Sequence, residues 1–107
     1  MTFRLTLATP DKVFFEGSVT AAVCSGIQGS FGLLTGHAPL VAGLAAGVLR
    51  IESEQGARYF VTGGGLAEVD QQHAEILVES AVAVDNAAQA DEKLVELKLA
   101  RQKSIPG

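Results

Sequence analysis

The sequence predicts a mainly β protein, a flattened antiparallel β-sandwich followed by one C-terminal α-helix. Short apolar segments separated by turn residues recur about every 8–12 residues up to residue 84, which is typical of sandwiches and barrels. Near Asp85 the composition changes to the strong helix formers Ala, Leu, Glu and Lys. No helical pattern alternates with the strands, which argues against a parallel doubly wound sheet. We therefore expect a β-sandwich domain at residues 1–84 and a C-terminal helix with a frayed tail at 85–107.

The first strands alternate in polarity. Apolar and polar side chains take turns over residues 3–7, the period-two pattern of a half-buried strand. Residues 13–16 and 19–24 read as one strand, interrupted at Gly17-Ser18, where an isolated glycine indicates a bulge or bend.

A glycine-rich stretch, residues 26–40, follows and reads GIQGSFGLLTGHAPL. Its many glycines, with one proline, predict sharp turns and a shaped loop that presents a surface to a protein partner. We expect a tight loop at 26–29, a short strand at 31–34 and a second turn at 35–39.

The later strands are separated by clear turn signals. Gly63, Gly64 and Gly65 have no side chains to pack, so they predict a corner where backbone passes close to backbone. The remaining strands are predicted at residues 40–44, 48–53, 57–62, 66–69 and 75–80, with 81–84 as an extension of the last.

A helix is predicted at residues 87–103, with Asp85 or Asn86 available as its N-cap. Ala90, Leu94 and Leu97 fall on one face, a stripe wide enough to dock on a sheet but too narrow to form a core. Acidic residues come early in this segment and basic residues late, which suits the helix dipole.

Charge and hydropathy exclude some classes of function. The formal net charge is −4, and its whole excess lies before residue 85, where eight acidic residues face four basic ones. A nucleic-acid backbone would be repelled by such a surface, so nucleic acid is not an expected partner. Apolar runs are too short for a membrane span of about 20 residues, so direct membrane insertion is not expected.

Reactive residues do not form a recognisable catalytic pattern. The single Cys24 lies in an apolar run and is expected to be a buried hydrophobe. His37 and His73 are far apart in sequence, which is poor spacing for a metal site, and His73 is interpreted as a solvated turn residue. His37 is either a structural histidine bonded to backbone carbonyls or an exposed partner contact. No catalytic residue, metal or cofactor is predicted, and no small-molecule substrate.

Four motifs together resemble a known family. The stretch at 26–40 with its GHAPL ending, GVLRI at 47–51, GGGLAEV at 63–69 and ILVESAV at 76–82 resemble the epsilon subunit of bacterial F-type ATP synthase, equivalent to the mitochondrial delta subunit. They occur in the family's order from about residue 3 to residue 84.

The resemblance implies a non-catalytic rotor subunit of the central stalk, peripheral on the cytoplasmic face of the bacterial inner membrane. Such a subunit binds the gamma subunit and the polar loops of the c-ring and couples proton passage to ATP synthesis. By motif match, Gln28, Gly29 and Ser30 face the c-ring, while His37 and the strand through Ala42 lie where the family contacts gamma.

The sequence departs from the family in two ways. Family members often carry acidic residues at the positions of Gln28 and Ser30, which are neutral here, so charge steering at that contact is in doubt. The family's two C-terminal helices are represented by one, and Ala88 stands where an ATP-binding motif of some members has arginine. ATP binding is therefore doubtful, and we expect the inhibitory role of the family to be reduced or absent.

The competing hypothesis is a free-standing β-sandwich module that binds protein or carbohydrate. Such modules usually present exposed aromatic side chains as platforms. This sequence offers only Tyr59 and five Phe, most of them at positions predicted to face the core.

Overall fold

The computed structural model describes residues 1–103, with side chains described through residue 100, and over this range the chain forms ten strands and one helix. The tail predicted for residues 104–107 lies outside the described residues. The strands are β1 (Phe3–Ala8), β2 (Val13–Val19), β3 (Ala21–Gly26), β4 (Gly29–Leu34), β5 (Leu40–Leu44), β6 (Gly47–Ser53), β7 (Gly56–Thr62), β8 (Gly65–Val69), β9 (His73–Val78) and β10 (Ala81–Val84), and the helix is α1 (Ala87–Lys103).

The strands form two layers. Sheet I has the order β4-β3-β6-β7-β10 and sheet II the order β5-β8-β9-β1-β2. They are joined at one point, where Gly26 at the end of β3 pairs with Leu44 of β5. Neighbouring strands run antiparallel except for β1 and β9, which are parallel. The predicted sandwich with a C-terminal helix is confirmed.

The core lies between the two sheets. Its largest fully buried side chains include Phe60, Leu5, Leu7, Leu33, Ile51 and Ile76. On the side of β2 and β7 the layers are closed by aromatic contact, since the Phe15 and Phe60 ring centroids are 6.5 Å apart at 69°. The Arg58 guanidinium lies over both rings, 5.4 Å from Phe15 and 5.2 Å from Phe60. These cation–π contacts stabilise the packing of β2 against β7 on this side of the sandwich.

The predicted interruption at Gly17-Ser18 is wrong. Both residues pair regularly with β1, and the chain breaks instead at Thr20, where it crosses from sheet II to sheet I. There the Thr20 amide and hydroxyl both donate to the Glu52 carbonyl, at 2.7 and 3.1 Å. A Cβ on Gly17 would lie 3.5 Å from the Phe15 ring, an ordinary van der Waals distance, so packing at this position does not require glycine.

The glycine corner is a place of close backbone approach, as predicted. A Cβ on Gly65 would overlap the carbonyl oxygen of Leu77, and one on Gly63 would lie 2.6 Å from Cγ of Glu79. The segment predicted to extend the last hairpin does something different. As β10 it leaves sheet II and pairs with β7 at the end of sheet I.

Helix α1 begins with a side-chain cap. Asn86 Oδ1 accepts the amide of Gln89 at 2.9 Å, and Gln89 Oε1 accepts the amide of Asp85 at 2.9 Å. These bonds satisfy amides that the first turn leaves unpaired. The predicted face is the buried one, because Ala90 is 0% exposed while Leu94 and Leu97 are half-buried. The helix packs on β6, β7 and β10, the outer face of sheet I.

Candidate partner-docking site

A β-hairpin tip stands at the junction of the two sheets. The turn residues Ile27 and Gln28 connect β3 to β4, with Gly26 and Gly29 on either side. Gly29 has φ of +125°, which side chains rarely adopt, and a Cβ on Gly26 would lie 2.7 Å from the Gly29 carbonyl oxygen. Both glycines are therefore needed for this turn, and Gln28, Gly29 and Ser30 are all exposed.

The tip is hydrogen-bonded to β5, an edge strand of sheet II. The Ile27 amide donates to the Gly43 carbonyl at 3.0 Å, and the Ala45 amide donates to the Ser25 carbonyl at 2.9 Å. A Cβ on Gly43 would lie only 3.0 Å from Cδ1 of Ile27, so the glycine makes room for that side chain. The tip is thereby held in one orientation relative to β5.

Between the tip and β5 lies an open cavity of about 370 Å³. It brings together four of the five predicted site residues: Gln28, Gly29 and Ser30 on the tip and Ala42 on β5. The cavity is lined by Gly26, Ile27, Gln28, Gly29, Ser30, Phe31, Val41, Ala42 and Gly43, none of which is charged. A partner would be held here by shape, amide and hydroxyl groups and backbone hydrogen bonds.

His37, the fifth predicted residue, is not part of this cavity. It lies in the separate turn between β4 and β5, after Gly36 with φ of +78°. Its amide donates to the Leu34 carbonyl at 3.2 Å, and its ring Nδ1 lies 2.9 Å from the Ala38 carbonyl oxygen. The ring is half-buried, so it both bonds backbone and keeps a surface for contact.

An apolar row on the outer face of sheet II was not found from the sequence. Cross-strand pairing aligns Gly43 with Leu66, Leu77, Ala8 and Val13 in turn. Three large exposed side chains lie in this row: Leu66 (38% exposed), Leu77 (42%) and Val13 (57%). Ile27 joins them because it packs over Gly43, and it is 68% exposed. Val41 lies beside the row on β5 and is also 68% exposed. One sequence signal could have indicated this row. Consecutive apolar residues in a strand, as in ILV at 76–78, place apolar side chains on both faces of the sheet.

Carboxylates run beside this row. Val41 pairs with Glu68, Glu68 with Glu75, and the line continues through Thr6 to Glu16. An apolar row bordered by acidic side chains would complement a surface with apolar and basic groups.

The remaining reactive groups suit packing rather than chemistry. Cys24 is 1% exposed, and burial raises the pKa of its thiol to about 12. His73 is not the solvated turn residue predicted, because it begins β9, half-buried, with Nε2 3.3 Å from the Thr6 hydroxyl. Among residues 1–103 no group of three or more His, Cys, Asp or Glu side chains is placed to hold a metal ion. Over the same range, α1 lacks the length and apolarity to span a bilayer.

The fold and this surface together define a β-sandwich protein with an exposed hairpin tip and an apolar sheet face. The chain belongs to the family of ATP synthase delta and epsilon chains, since residues 2–84 match the family model described as ATP synthase, Delta/Epsilon chain, beta-sandwich domain.

Sequence identity to individual epsilon chains supports this family membership. The chain is 35% identical over 91 residues to the ATP synthase epsilon chain of Rippkaea orientalis, covering 85% of this chain and 67% of that one. It is 40% identical over 78 residues to the epsilon chain of Chlorobium limicola, covering 72% and 89%.

Solved structures show the same fold. A chain in the Euglena gracilis mitochondrial ATP synthase structure, described as OSCP/F1/c-ring, is 28% identical with a TM-score of 0.75, covering 98% of this chain and 68% of that one. One in the Tetrahymena thermophila mitochondrial ATP synthase is 17% identical with a TM-score of 0.66, covering 94% and 92%.

Proposed function

We propose that this chain is a central-stalk rotor subunit of a proton-translocating F-type ATP synthase, linking the gamma subunit to the c-ring and coupling proton flow to ATP synthesis. The observation that carries this function is the family match over residues 2–84, which includes the whole sandwich. The similar Euglena chain comes from an assembly that contains F1 and the c-ring.

The hairpin tip is the contact for the c-ring. Gln28, Gly29 and Ser30 project from the sandwich and carry no charge, so this contact depends on hydrogen bonds and shape rather than ion pairs. A rotor must transmit torque without bending. The Ile27–Gly43 and Ala45–Ser25 backbone bonds join the tip to sheet II and give it that stiffness.

The outer face of sheet II is the contact for the gamma subunit. Its apolar row loses water when a partner covers it, at about 25 cal/mol per Å² of apolar surface buried. The acidic line through Glu68 and Glu75 then favours basic side chains at the border. Ala42 and His37 lie close to this face, on β5 and in the turn that leads into it.

The subunit does no chemistry of its own and acts at the cytoplasmic face of the bacterial inner membrane as a peripheral component. ATP binding is not part of the function, because Ala88 in the first turn of α1 offers no cation to a triphosphate. We expect little or no inhibition by the helix. A version ending at Asp85 should leave the ATPase rate of the reconstituted complex unchanged, and a rise of several-fold would contradict this.

The alternative, a free-standing binding module, is not favoured. Its aromatic platform is missing, because Phe3 and Phe60 are buried and the other four aromatic side chains are half-buried.

Co-purification of the tagged chain from solubilised membranes tests the function. The natural chain should bring down both gamma and c subunits. Gly29→Val, which cannot adopt φ of +125° without strain, should distort the tip and lose the c subunit while keeping gamma. Gly32→Ala is the matched control, since its Cβ would lie 3.8 Å from the nearest neighbouring atom, and it should keep both. Recovery of the natural chain as an isolated monomer would overturn the function.

A further inference from the structure

We propose that Glu68 and Glu75 determine what can cover the apolar row on the outer face of sheet II. They admit a partner that places a basic side chain between them, and they exclude a second copy of this chain. The proposal rests on the function above only for the partner used in the binding test, the gamma subunit. The register of β8 and β9 sets the two residues directly opposite each other, beside the apolar pair Leu66 and Leu77.

The two carboxylates have no cation to balance them. Residues directly opposite on antiparallel strands have Cβ atoms about 4.5–5.5 Å apart, and like charges in such positions are destabilising. Glu68 is exposed and Glu75 is half-buried. Among the side chains that the structure describes, neither carboxylate has an ion-pair or hydrogen-bond partner. The free chain therefore keeps an unfavourable pair on two interior strands of sheet II.

Other groups on this face do not offset the charge. Arg4 pairs with His73 in the line next to the acidic one, and among the described side chains its guanidinium forms no ion pair. The His73 ring contacts the Thr6 hydroxyl at 3.3 Å instead of a carboxylate. With Glu16 at the end of the acidic line, the strands of sheet II place three carboxylates and one guanidinium on the outer face.

This charge pattern opposes self-association through the apolar row. Exposed apolar surface by itself favours association. A second copy that covered the row would bring the same excess of carboxylates into the interface, so negative charge would meet negative charge while water is removed. Like charges brought together in an interface suppress the wrong partner. The acidic pair thus keeps the free chain from covering its apolar row with another copy of itself.

The same pair favours one kind of partner. A guanidinium or ammonium group between Glu68 and Glu75 would balance both carboxylates at once and remove the repulsion that the free chain carries. Leu66 and Leu77 lie next to the pair on the same two strands and are 38% and 42% exposed. The matching partner surface therefore has a basic side chain directly beside apolar ones.

Self-association of the chain alone tests the exclusion. Sedimentation equilibrium should find the natural chain monomeric. Glu68→Gln/Glu75→Gln keeps both side-chain lengths but removes the charges, so it should dimerise at concentrations at least about tenfold below any self-association of the natural chain. Glu54→Gln/Glu92→Gln, which removes two charges from exposed positions on the β6–β7 turn and α1, is the matched control and should behave as the natural chain. Equal self-association of the two double variants would overturn the exclusion.

Urea unfolding tests whether the pair is unfavourable in the free chain. Glu75→Gln should raise the midpoint slightly, because the repulsion from Glu68 is relieved. Glu54→Gln should leave the midpoint unchanged. A midpoint that falls in Glu75→Gln would mean that this carboxylate stabilises the sheet, and it would overturn the assignment of Glu75 to partner selection.

Calorimetric titration against the gamma subunit at low and high NaCl tests the basic contact. The natural chain should lose affinity as the salt concentration rises, because salt screens charge pairs. Glu75→Gln should bind about tenfold more weakly at low salt and lose most of this salt dependence. Glu54→Gln should match the natural chain in both respects. Equal affinity and equal salt dependence for Glu75→Gln and the natural chain would overturn the basic contact.

The outcomes separate this proposal from the proposed function. No gamma binding by the natural chain overturns the function, whereas sedimentation does not involve gamma and still decides whether the pair excludes a second copy. A natural chain that binds gamma normally but dimerises as readily as Glu68→Gln/Glu75→Gln overturns only the selection by Glu68 and Glu75.

Discussion

The two outer faces of the sandwich carry similar side chains and differ in what covers them. On sheet I, outward-facing Val61 is 2% exposed because α1 lies across it. On sheet II, outward-facing Leu66 and Leu77 are 38% and 42% exposed. Apolar residues on both faces of a strand require a cover on both sides. The chain supplies one cover itself, and the partner is expected to supply the other.

The helix covers sheet I through only a narrow apolar stripe. Its sheet-facing stripe consists of Ala90, Leu94 and Leu97, while Val95 and Leu99 on the far side remain 56% and 50% exposed. Docking therefore depends on a few contacts, and one charge placed among them should be enough to release the helix.

The largest effect is expected from Ala90→Glu. Ala90 is 0% exposed between helix and sheet, so a carboxylate there must be buried or the helix must detach, at a cost of about 2–3 kcal/mol of unfolding free energy. Ala88→Glu, on the exposed side of the first turn, is the control and should be neutral or slightly stabilising. Urea unfolding followed by circular dichroism measures both; equal losses would mean that the helix does not depend on this contact.

On sheet II the comparable change should affect binding instead of folding. Val41→Thr keeps shape and β-branching but places a hydroxyl in the proposed contact with gamma, which should weaken binding by about 1–2 kcal/mol, or roughly tenfold in Kd. Val95→Thr on the exposed side of α1 should bind normally. Calorimetric titration against the gamma subunit distinguishes them, and unchanged binding by Val41→Thr would remove this face from the interface.

A smaller effect is expected from His37→Ala. The half-buried ring makes one hydrogen bond to backbone, so its loss should cost no more than about 1 kcal/mol of stability while gamma binding weakens. His37→Asn, which keeps a donor, should recover part of the binding. A stability loss of about 2 kcal/mol or more in thermal unfolding would assign His37 a structural role instead.

The smallest effect concerns the β8–β9 turn at the end of sheet II. Asp70 is exposed and accepts the amides of Gln72 and His73, both at 2.8 Å, and these bonds lower the pKa of its carboxyl below the ordinary 3.8. Because the pKa of Asp70 is lower in the folded state, its ionised carboxylate stabilises the protein at pH values above the ordinary pKa. This stabilisation is lost as the pH falls through the lowered pKa of the folded state. The urea midpoint should fall less between pH 7 and pH 3 in Asp70→Asn than in the natural chain. Equal slopes would contradict this.

Local patterns were enough to predict the fold class and most of the elements, but not the break at Thr20 or the separate strand β10. Alternation predicted β1, the glycines predicted the tip, and composition, with Asp85 or Asn86 as the N-cap, predicted α1 and its buried face; in the structure the cap is Asn86. Each of these signals depends on residues within a few positions of one another.

Long-range pairing was beyond such signals. The parallel pairing of β1 with β9 joins residues such as Leu5 and Ala74, and β10 crosses to β7 although it follows β9 directly. Nothing local to either segment encodes the choice of neighbour. The same limit applied to the docking site: the tip was predicted from its glycines, whereas the apolar row exists only once five strands are aligned.

Cys24 gives the molecule a built-in chemical reporter of its own opening. A thiol that is 1% exposed with a pKa of about 12 is almost entirely protonated at neutral pH and out of reach of solvent. An alkylating reagent can modify it only when β3 separates from its neighbours. Because the sequence contains one cysteine, the rate of modification would count the opening of the strand that joins the two sheets.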